Sequence, residues 1–414
     1  MDASTREGVA PSRRATTPTR PAPAATGLKV ALVHDWLTGM RGGEKCLEVL
    51  CRAFPGGTLH TLIHRTGALS PAIEAMNIRP SPLQRIPGVL DHYRHLLPVM
   101  PWAAGTWDVG DVDLVVSLSH CVAKLVRVPR GVPHVCYCFT PMRYAWDGRD
   151  AYLASWADRP VRRFLAGAIL DRLRARDRAG SAGVSHFVAI SRTIEDRIAR
   201  CYGRGSRIIQ PPVDVEFYTP SGQVREDFDL LVSALVPYKR VDQAVLAATQ
   251  AGRRLVVIGS GPERARLEAM AGPTVTFLGW QPDEVIRDHY RRARVLLFPG
   301  EEDFGIVPVE ALACGCPVIA LDRGGVAETV DDRVGRVYAE PTAGGLLGAI
   351  EAWEATGAPH DARLARARAE ALGLPVFRRR LLGYLDEVMA EHRAGADIRR
   401  GIPAPHVLPT RAEA

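Results

Sequence analysis

The chain is poor in lysine: it has four, Lys29, Lys45, Lys124 and Lys239, against 49 arginines. An ordinary basic surface position in such a composition is Arg. Each Lys is therefore informative, because a compact ammonium and a planar guanidinium fork do different chemistry. No apolar run approaches the ~18 residues that a spanning helix needs, which argues against an integral helical membrane protein. Residues 1–27 hold Pro, Ala, Thr and four Arg but no apolar stretch, so they read as a tail rather than a signal peptide. With no export signal, the eight cysteines are expected as reduced thiols in a cytoplasmic protein. Neither Cys136-Tyr137-Cys138 nor Cys314-Gly315-Cys316 has the spacing of a structural zinc site, and no metal site is expected. Gly259-Ser260-Gly261-Pro262-Glu263-Arg264 lacks the third glycine of a dinucleotide fingerprint, which disfavours an NAD-dependent enzyme. No helix-turn-helix, zinc-finger or RNA-recognition signature is present, and no nucleic-acid partner is expected.

What remains is 47% hydrophobic and 24% charged in 414 residues, the balance of a globular chain with a sizeable core. The net charge of +7 is uneven: +8 over residues 28–220 and −5 over 221–391. Two lobes with different neighbours are implied. Apolar runs at 28–34, 113–118, 134–138 and 186–190 read as buried parallel strands with helices between them, the first helix spanning about 44–54. The pattern restarts after Pro211-Pro212, with strands at 229–235, 254–258, 274–278, 295–298 and 317–320. Helices at 241–250, 262–271, 282–291 and 309–314 lie between these strands, and 361–372 and 377–390 read as terminal helices. The expected fold class is α/β, two doubly wound Rossmann-like lobes around a cleft. Its divisions are a tail at 1–27, a first lobe at 28–215 and a second lobe at 216–375. A terminal helix at 376–391 would return to the first lobe, before a flexible tail at 392–414.

Three motifs carry chemistry. Glu301-Glu302-Asp303-Phe304-Gly305-Ile306-Val307-Pro308-Val309-Glu310-Ala311 follows a strand and enters a helix, so it lies at the strand edge where open α/β sheets bind ligands. Free backbone N–H groups around Gly305 and Ile306 would face an anion such as phosphate. Glu302 and Glu310, with seven residues between them, would repel phosphate and suit sugar or ribose hydroxyls instead. In Pro237-Tyr238-Lys239-Arg240-Val241-Asp242, Lys239 and Arg240 could neutralise a diphosphate leaving group. Thr38-Gly39-Met40-Arg41-Gly42-Gly43-Glu44, after the first strand, lets backbone approach a ligand closely.

Over roughly residues 28–391 the chain resembles the family 4 retaining glycosyltransferases, which have the GT-B fold. The resemblance rests on Gly42-Gly43-Glu44, on Ser117-Leu118-Ser119-His120-Cys121-Val122-Ala123-Lys124, and on YCFTPMRYAWD from Tyr137 to Asp147. It also rests on Arg197 with Tyr202-Gly203, Pro211-Pro212-Val213-Asp214, Pro237 to Asp242, and the Glu302/Glu310 pair. Within the family it looks like the mannosyltransferases of bacterial O-antigen and exopolysaccharide assembly. The resemblance implies a hexosyltransferase that takes a nucleotide diphosphate sugar, GDP-mannose before UDP-glucose, and a lipid-linked or other glycan acceptor, with no metal or other cofactor. By the same resemblance Glu310 would bind ribose and Glu302 the transferred sugar. Lys239 would contact the diphosphate, with Asp303, Phe304, Gly305 and Ile306 lining the donor site. Gly42 and Gly43 would close on it from the first lobe. His120 would face the sugar near its 6-hydroxyl, and Lys124 and Arg143 would line the acceptor side. Two positions depart from the family: Ala234 where many relatives have Arg, and Phe139 where close relatives have His.

The same motifs fit a catalytically inactive nucleotide-sugar sensor, but Lys239, Glu302 and Glu310 are all retained. Residues 159–178 carry seven Arg among apolar residues such as Phe164, Leu165 and Ile169, and residues 83–107 mix Trp102, Trp107, Leu96 and Leu97 with Arg85 and Arg94. Both read as surface-seeking segments that would hold the protein peripherally on an anionic inner membrane face.

Overall fold

The structure is a computed structural model, and it describes residues 27–154, 160–358 and 360–395. The expected tails at 1–27 and 392–414 lie almost wholly outside these residues.

Among the described residues, thirteen short strands form two all-parallel sheets. The first contains β1 (Val30–His34), β2 (Thr58–Thr61), β3 (Asn77–Pro80), β4 (Leu114–Ser119), β5 (His134–Cys138), β6 (His186–Ala189) and β7 (Ser206–Ile208), in the order β3-β2-β1-β4-β5-β6-β7. The second contains β8 (Asp229–Val232), β9 (Leu255–Ile258), β10 (Val275–Gly279), β11 (Val295–Phe298), β12 (Val318–Leu321) and β13 (Gly335–Tyr338), in the order β10-β9-β8-β11-β12-β13. Helices cover both faces, so central strands such as β1, β4, β5 and β11 are buried throughout and read as near-continuous apolar runs. Each sheet reverses its strand order once, between β1 and β4 and between β8 and β11. Those two switch points open crevices at the carboxyl ends of the strands.

One buried cluster runs through both lobes, from Leu32 and Val116 in the first to Leu296 and Val309 in the second. The chain crosses between the lobes twice. It leaves β7 through Pro211-Pro212, where Val213 N–H donates to Leu372 O at 2.9 Å. It crosses back at Gly373, which opens the helix Leu374–Arg393. That helix lies on the first lobe, with Phe377 against the Tyr137 ring at 5.8 Å and the Tyr384 hydroxyl 3.3 Å from His186 Nδ1.

The helix Ala343–Ala355 and strands β2, β3, β7 and β13 have no counterpart in the sequence reading. Residues 83–107 form short helical turns, not one helix: Leu83, Val89, Tyr93, Met100 and Trp107 enter the core, while Ile86, Val99 and Trp102 stay exposed. The helix Pro160–Gly180 differs, because Leu170 and Leu173 are buried while Val161, Phe164, Leu165 and Ile169 face outward. All eight cysteines are free and buried. No helix among the described residues is long and apolar enough to cross a membrane.

Candidate functional site

The candidate residues gather at the two switch points, which face each other across the lobe boundary. On the second lobe, β8 runs into the 3-10 turn Pro237–Lys239, and Arg240 follows in a left-handed conformation (φ 51°) before the helix Val241–Gln250. After β11, the segment from Gly300 to Gly305 crosses beneath that turn. A Cβ on Gly300 would stand 2.9 Å from Lys239 O, so glycine permits the approach. The Lys239 ammonium pairs there with the Glu302 carboxylate. Gly305, at φ 89°, turns the chain into the helix Ile306–Ala313, which begins earlier than the sequence reading placed it.

The first lobe presents the N-terminus of the helix Gly42–Ala53 to this helix. A Cβ on Gly42 would lie 2.7 Å from Ile306 Cδ1, so the helix starts meet tip to tip. Both tips carry unpaired N–H groups and the positive end of a helix dipole, and together they favour an anion between the lobes. Gly43 sits against Phe139 and His34, with the nearest Phe139 atom 3.3 Å from a would-be Cβ.

Glu310 lies one turn further along its helix and is buried. The Tyr290 hydroxyl donates to Glu310 Oε2 at 3.3 Å, and Tyr218 faces the same carboxyl. Burial pushes its pKa up to about 7, with the Asp283 charge adding to the effect and Lys45 opposing it.

At the first switch point Asp35 follows β1 and is wholly buried. Its carboxylate accepts the backbone N–H groups of His120, Cys121, Val122 and Ala123 at 2.6–2.9 Å and so caps the turn after β4. Burial opposes the charge, but His120 and the backbone donors outweigh it and hold Asp35 below the usual carboxylate range. The His120 Nδ1 lies 3.1 Å from Asp35 Oδ2, and its ring edge meets Trp36 at 4.3 Å. Burial lowers the His120 pKa against the pull of Asp35. A neutral ring that donates through Nδ1–H turns Nε2 outward as an acceptor.

Three expected site residues have partners that the sequence did not suggest. Lys124 does not line the cleft: it is buried, its Nζ 2.7 Å from Asp177 Oδ1 and donating to Cys121 O at 2.6 Å. Asp177 also accepts from Trp146 Nε1 and the Tyr202 hydroxyl, so the four side chains join the helix Pro160–Gly180 to the turn after β4, the segment after β5 and the helix Arg192–Tyr202. Arg240 donates to Pro341 O at 3.0 Å, beside Gln243, which donates to the same carbonyl. That ties it to the loop after β13, not to the Lys239 pocket. The Asp303 carboxylate is engaged across the lobe boundary, accepting Arg143 at 2.6 Å and also Arg197, both from the first lobe. Arg143 therefore spans the cleft instead of only lining it.

Sequence reasoning did not single out Tyr238, Ser191, Tyr290 or the Gly324-Gly325 pair that packs on Glu302 and Asp303. The glycine pair was the one readable signal, since it opens the turn after β12 just as Gly42-Gly43 does after β1. The two Asp-x-Asp triplets, Asp111-Val112-Asp113 and Asp227-Phe228-Asp229, lie at the opposite, amino-terminal strand edges. Asp111 pairs with Lys29, Asp113 accepts the Lys29 N–H, and Asp229 pairs with Arg253 and Arg294. No metal-ligating cluster occurs among the described residues.

Residues 223–370 match the family model for glycosyl transferases group 1. The chain is 38% identical over 114 residues to a GDP-mannose-dependent alpha-mannosyltransferase of Mycobacterium tuberculosis, an alignment covering 27% of this chain and 29% of that protein. It is 31% identical over 180 residues to a GDP-mannose-dependent alpha-(1-6)-phosphatidylinositol monomannoside mannosyltransferase of Mycolicibacterium smegmatis, covering 36% and 47%. The chain thus spans less than half the length of either relative. Its fold is similar to a sucrose-phosphate synthase from Thermosynechococcus elongatus (TM-score 0.65, 19% identity, 87% of this chain and 99% of that one). It is also similar to Anabaena HepE in complex with UDP (TM-score 0.61, 15% identity, 87% and 100%). Two parallel-sheet lobes facing across a cleft and the match over the second lobe agree: residues 223–370 fit the glycosyl transferases group 1 model, and the chain as a whole has the GT-B fold.

Proposed function

We propose that the protein is a retaining hexosyltransferase that moves a sugar from a nucleotide diphosphate donor to a glycan acceptor. The observation that carries this reading is the meeting of two helix N-termini, at Gly42 and Ile306, beside the Lys239–Glu302 pair. The diphosphate would lie between the helix tips, where fixed dipoles and the Lys239 ammonium stabilise the charge that develops as the anomeric C–O bond breaks. The acceptor oxygen forms the new bond to the anomeric carbon on the face the diphosphate leaves, and the acceptor proton passes to a departing phosphate oxygen. Glu302 accepts hydrogen bonds from the sugar, Glu310 from the ribose, and His120 Nε2 from a sugar hydroxyl. No metal is assigned a role.

GDP-mannose is the donor we put first, since two of the similar proteins are named for dependence on it. A lipid-linked acceptor of surface-polysaccharide synthesis, met at the inner face of an anionic membrane by a protein otherwise in the cytoplasm, goes with it. The support is the outward face of the helix Pro160–Gly180, where Val161, Phe164 and Leu165 stand beside exposed Arg162, Arg163 and Arg172.

The test uses GDP, GDP-mannose and UDP-glucose. Lys239→Ala should cut turnover about 10²–10³-fold, as loss of a leaving-group donor does. Glu302→Ala should also lower turnover while leaving affinity for bare GDP nearly intact. Glu302→Ala weakening GDP binding as much as Lys239→Ala would overturn these roles. Failure of the wild-type protein to bind any of the three ligands would overturn the reading as a whole.

A further inference from the structure

The Asp303 contacts cross the lobe boundary next to the Lys239–Glu302 pair. Asp303 is adjacent to Glu302 in sequence. Its carboxylate is shared by two first-lobe guanidiniums, Arg143 at 2.6 Å and Arg197, and its backbone oxygen accepts the Ser191 hydroxyl at 2.5 Å. Glu302 is fixed from its own lobe, since Gly325 N–H donates to Glu302 O at 2.8 Å. Arg143 also reaches Tyr238, the neighbour of Lys239. Its guanidinium lies 5.5 Å from the Tyr238 ring, and the neighbouring Lys239 ammonium lies 5.4 Å from the same ring. Arg143, Asp303, Glu302, Lys239 and Tyr238 thus form a closed circuit of contacts with one member from the opposite lobe. Arg197 is oriented in turn by Asp147, which receives its Nε at 2.8 Å.

We propose that Asp303 is a positioning residue: by binding Arg143 and Arg197 it sets Glu302 and Lys239 in working register only while the two lobes are closed. The proposal rests on the transferase reading above and adds to it a coupling between closure and chemistry. Opening the lobes pulls both guanidiniums from Asp303 and removes Arg143 from Tyr238. The second lobe alone then keeps its helix tip for a nucleoside diphosphate but not the alignment of the Lys–Glu pair. An uncharged residue at 303 gives up the charge-assisted bonds that make this geometry specific.

Asp303→Asn keeps size and removes charge. Turnover should fall about 10²-fold, the scale expected when reacting groups are misplaced by about an ångström. Affinity for GDP should not change, and Asp303→Glu should recover part of the turnover. Arg143→Gln, on the other lobe, should reproduce the split between turnover and binding, and it carries the test if Asp303→Asn does not fold. Solution scattering supplies an arm that needs no substrate: Asp303→Asn should have a larger radius of gyration than the wild type at low salt. Unchanged turnover, an unchanged radius, or GDP binding lost as in Lys239→Ala would each overturn the clasp. A wild-type protein inert towards every donor would instead overturn the transferase reading, and the scattering comparison would still decide the clasp.

Discussion

Replacing Glu310 by Gln should change how stability depends on pH. Glu310 is 8% exposed, and burial raises its pKa from 4.5 to about 7. Between those two values the folded chain holds a proton that the unfolded chain has released. Stability therefore falls as pH rises, by about 1.4 kcal/mol per pH unit. The cost is complete above about pH 7 and amounts to roughly 3 kcal/mol. Glutamine keeps the shape and the hydrogen bond from Tyr290 but has nothing to titrate. Urea unfolding of both proteins at steps from about pH 5 to about pH 8 measures the gap. The wild type should lose ground to Glu310→Gln through the window and run parallel to it above. A gap constant to within about 0.5 kcal/mol, the scatter of independent mutational effects, would refute the argument. The same proton should appear in binding. Ribose hydroxyls favour the carboxylate form, so GDP binding near neutral pH should release protons, seen as a heat that depends on the buffer's ionisation enthalpy.

Lys124→Ala should destabilise the first lobe by about 3–5 kcal/mol, the cost of leaving a buried partner, here Asp177, without its counter-charge; urea unfolding is the measurement. Transfer should survive EDTA, and activity lost to EDTA and restored by Mg²⁺ or Mn²⁺ would exclude the metal-free reading. The protein should float with anionic but not neutral liposomes, less so as salt rises, and replacing Arg162, Arg163 and Arg172 by Glu should release it. Arg174 is left out of that set because its Nε donates to Ala145 O at 2.7 Å and its guanidinium lies 5.2 Å from the Trp146 ring. Equal failure to float with either lipid would reduce the outward face of that helix to an Arg-rich surface.

The two-lobed fold was legible because buried parallel strands are apolar along their whole length. VALVH of β1 and HVCYC of β5 stand out from any surface segment. The same physics hid the edges. β3 is NIRP, three of its four residues exposed and one a proline, and β7 has three residues. The helix Ala343–Ala355 was obscured by Gly344, Gly345 and Gly348, and it starts instead from the Thr342 hydroxyl, which accepts from Gly345 N–H at 3.0 Å. In the site, the Lys239, Glu302 and Glu310 neighbourhood followed from local order, strand then turn then helix. What did not follow was which charge answers which. Asp303 and Lys124 sit in the right motifs, but their partners, Arg143 with Arg197 and Asp177, are 53 to 160 residues away in sequence. No periodicity encodes such pairings.

The return of the helix Leu374–Arg393 to the first lobe also bears on how the molecule is made. During synthesis the strands of the first lobe emerge before those of the second, yet Tyr137 and His186 wait for Phe377 and Tyr384 to cover them. At roughly 5–20 residues per second, the stretch from β7 to that helix takes on the order of ten to thirty seconds to translate. Throughout that interval the nascent first lobe displays an uncovered apolar seam. Expressed without its last helix, it would be a client for chaperones more than a free-standing domain.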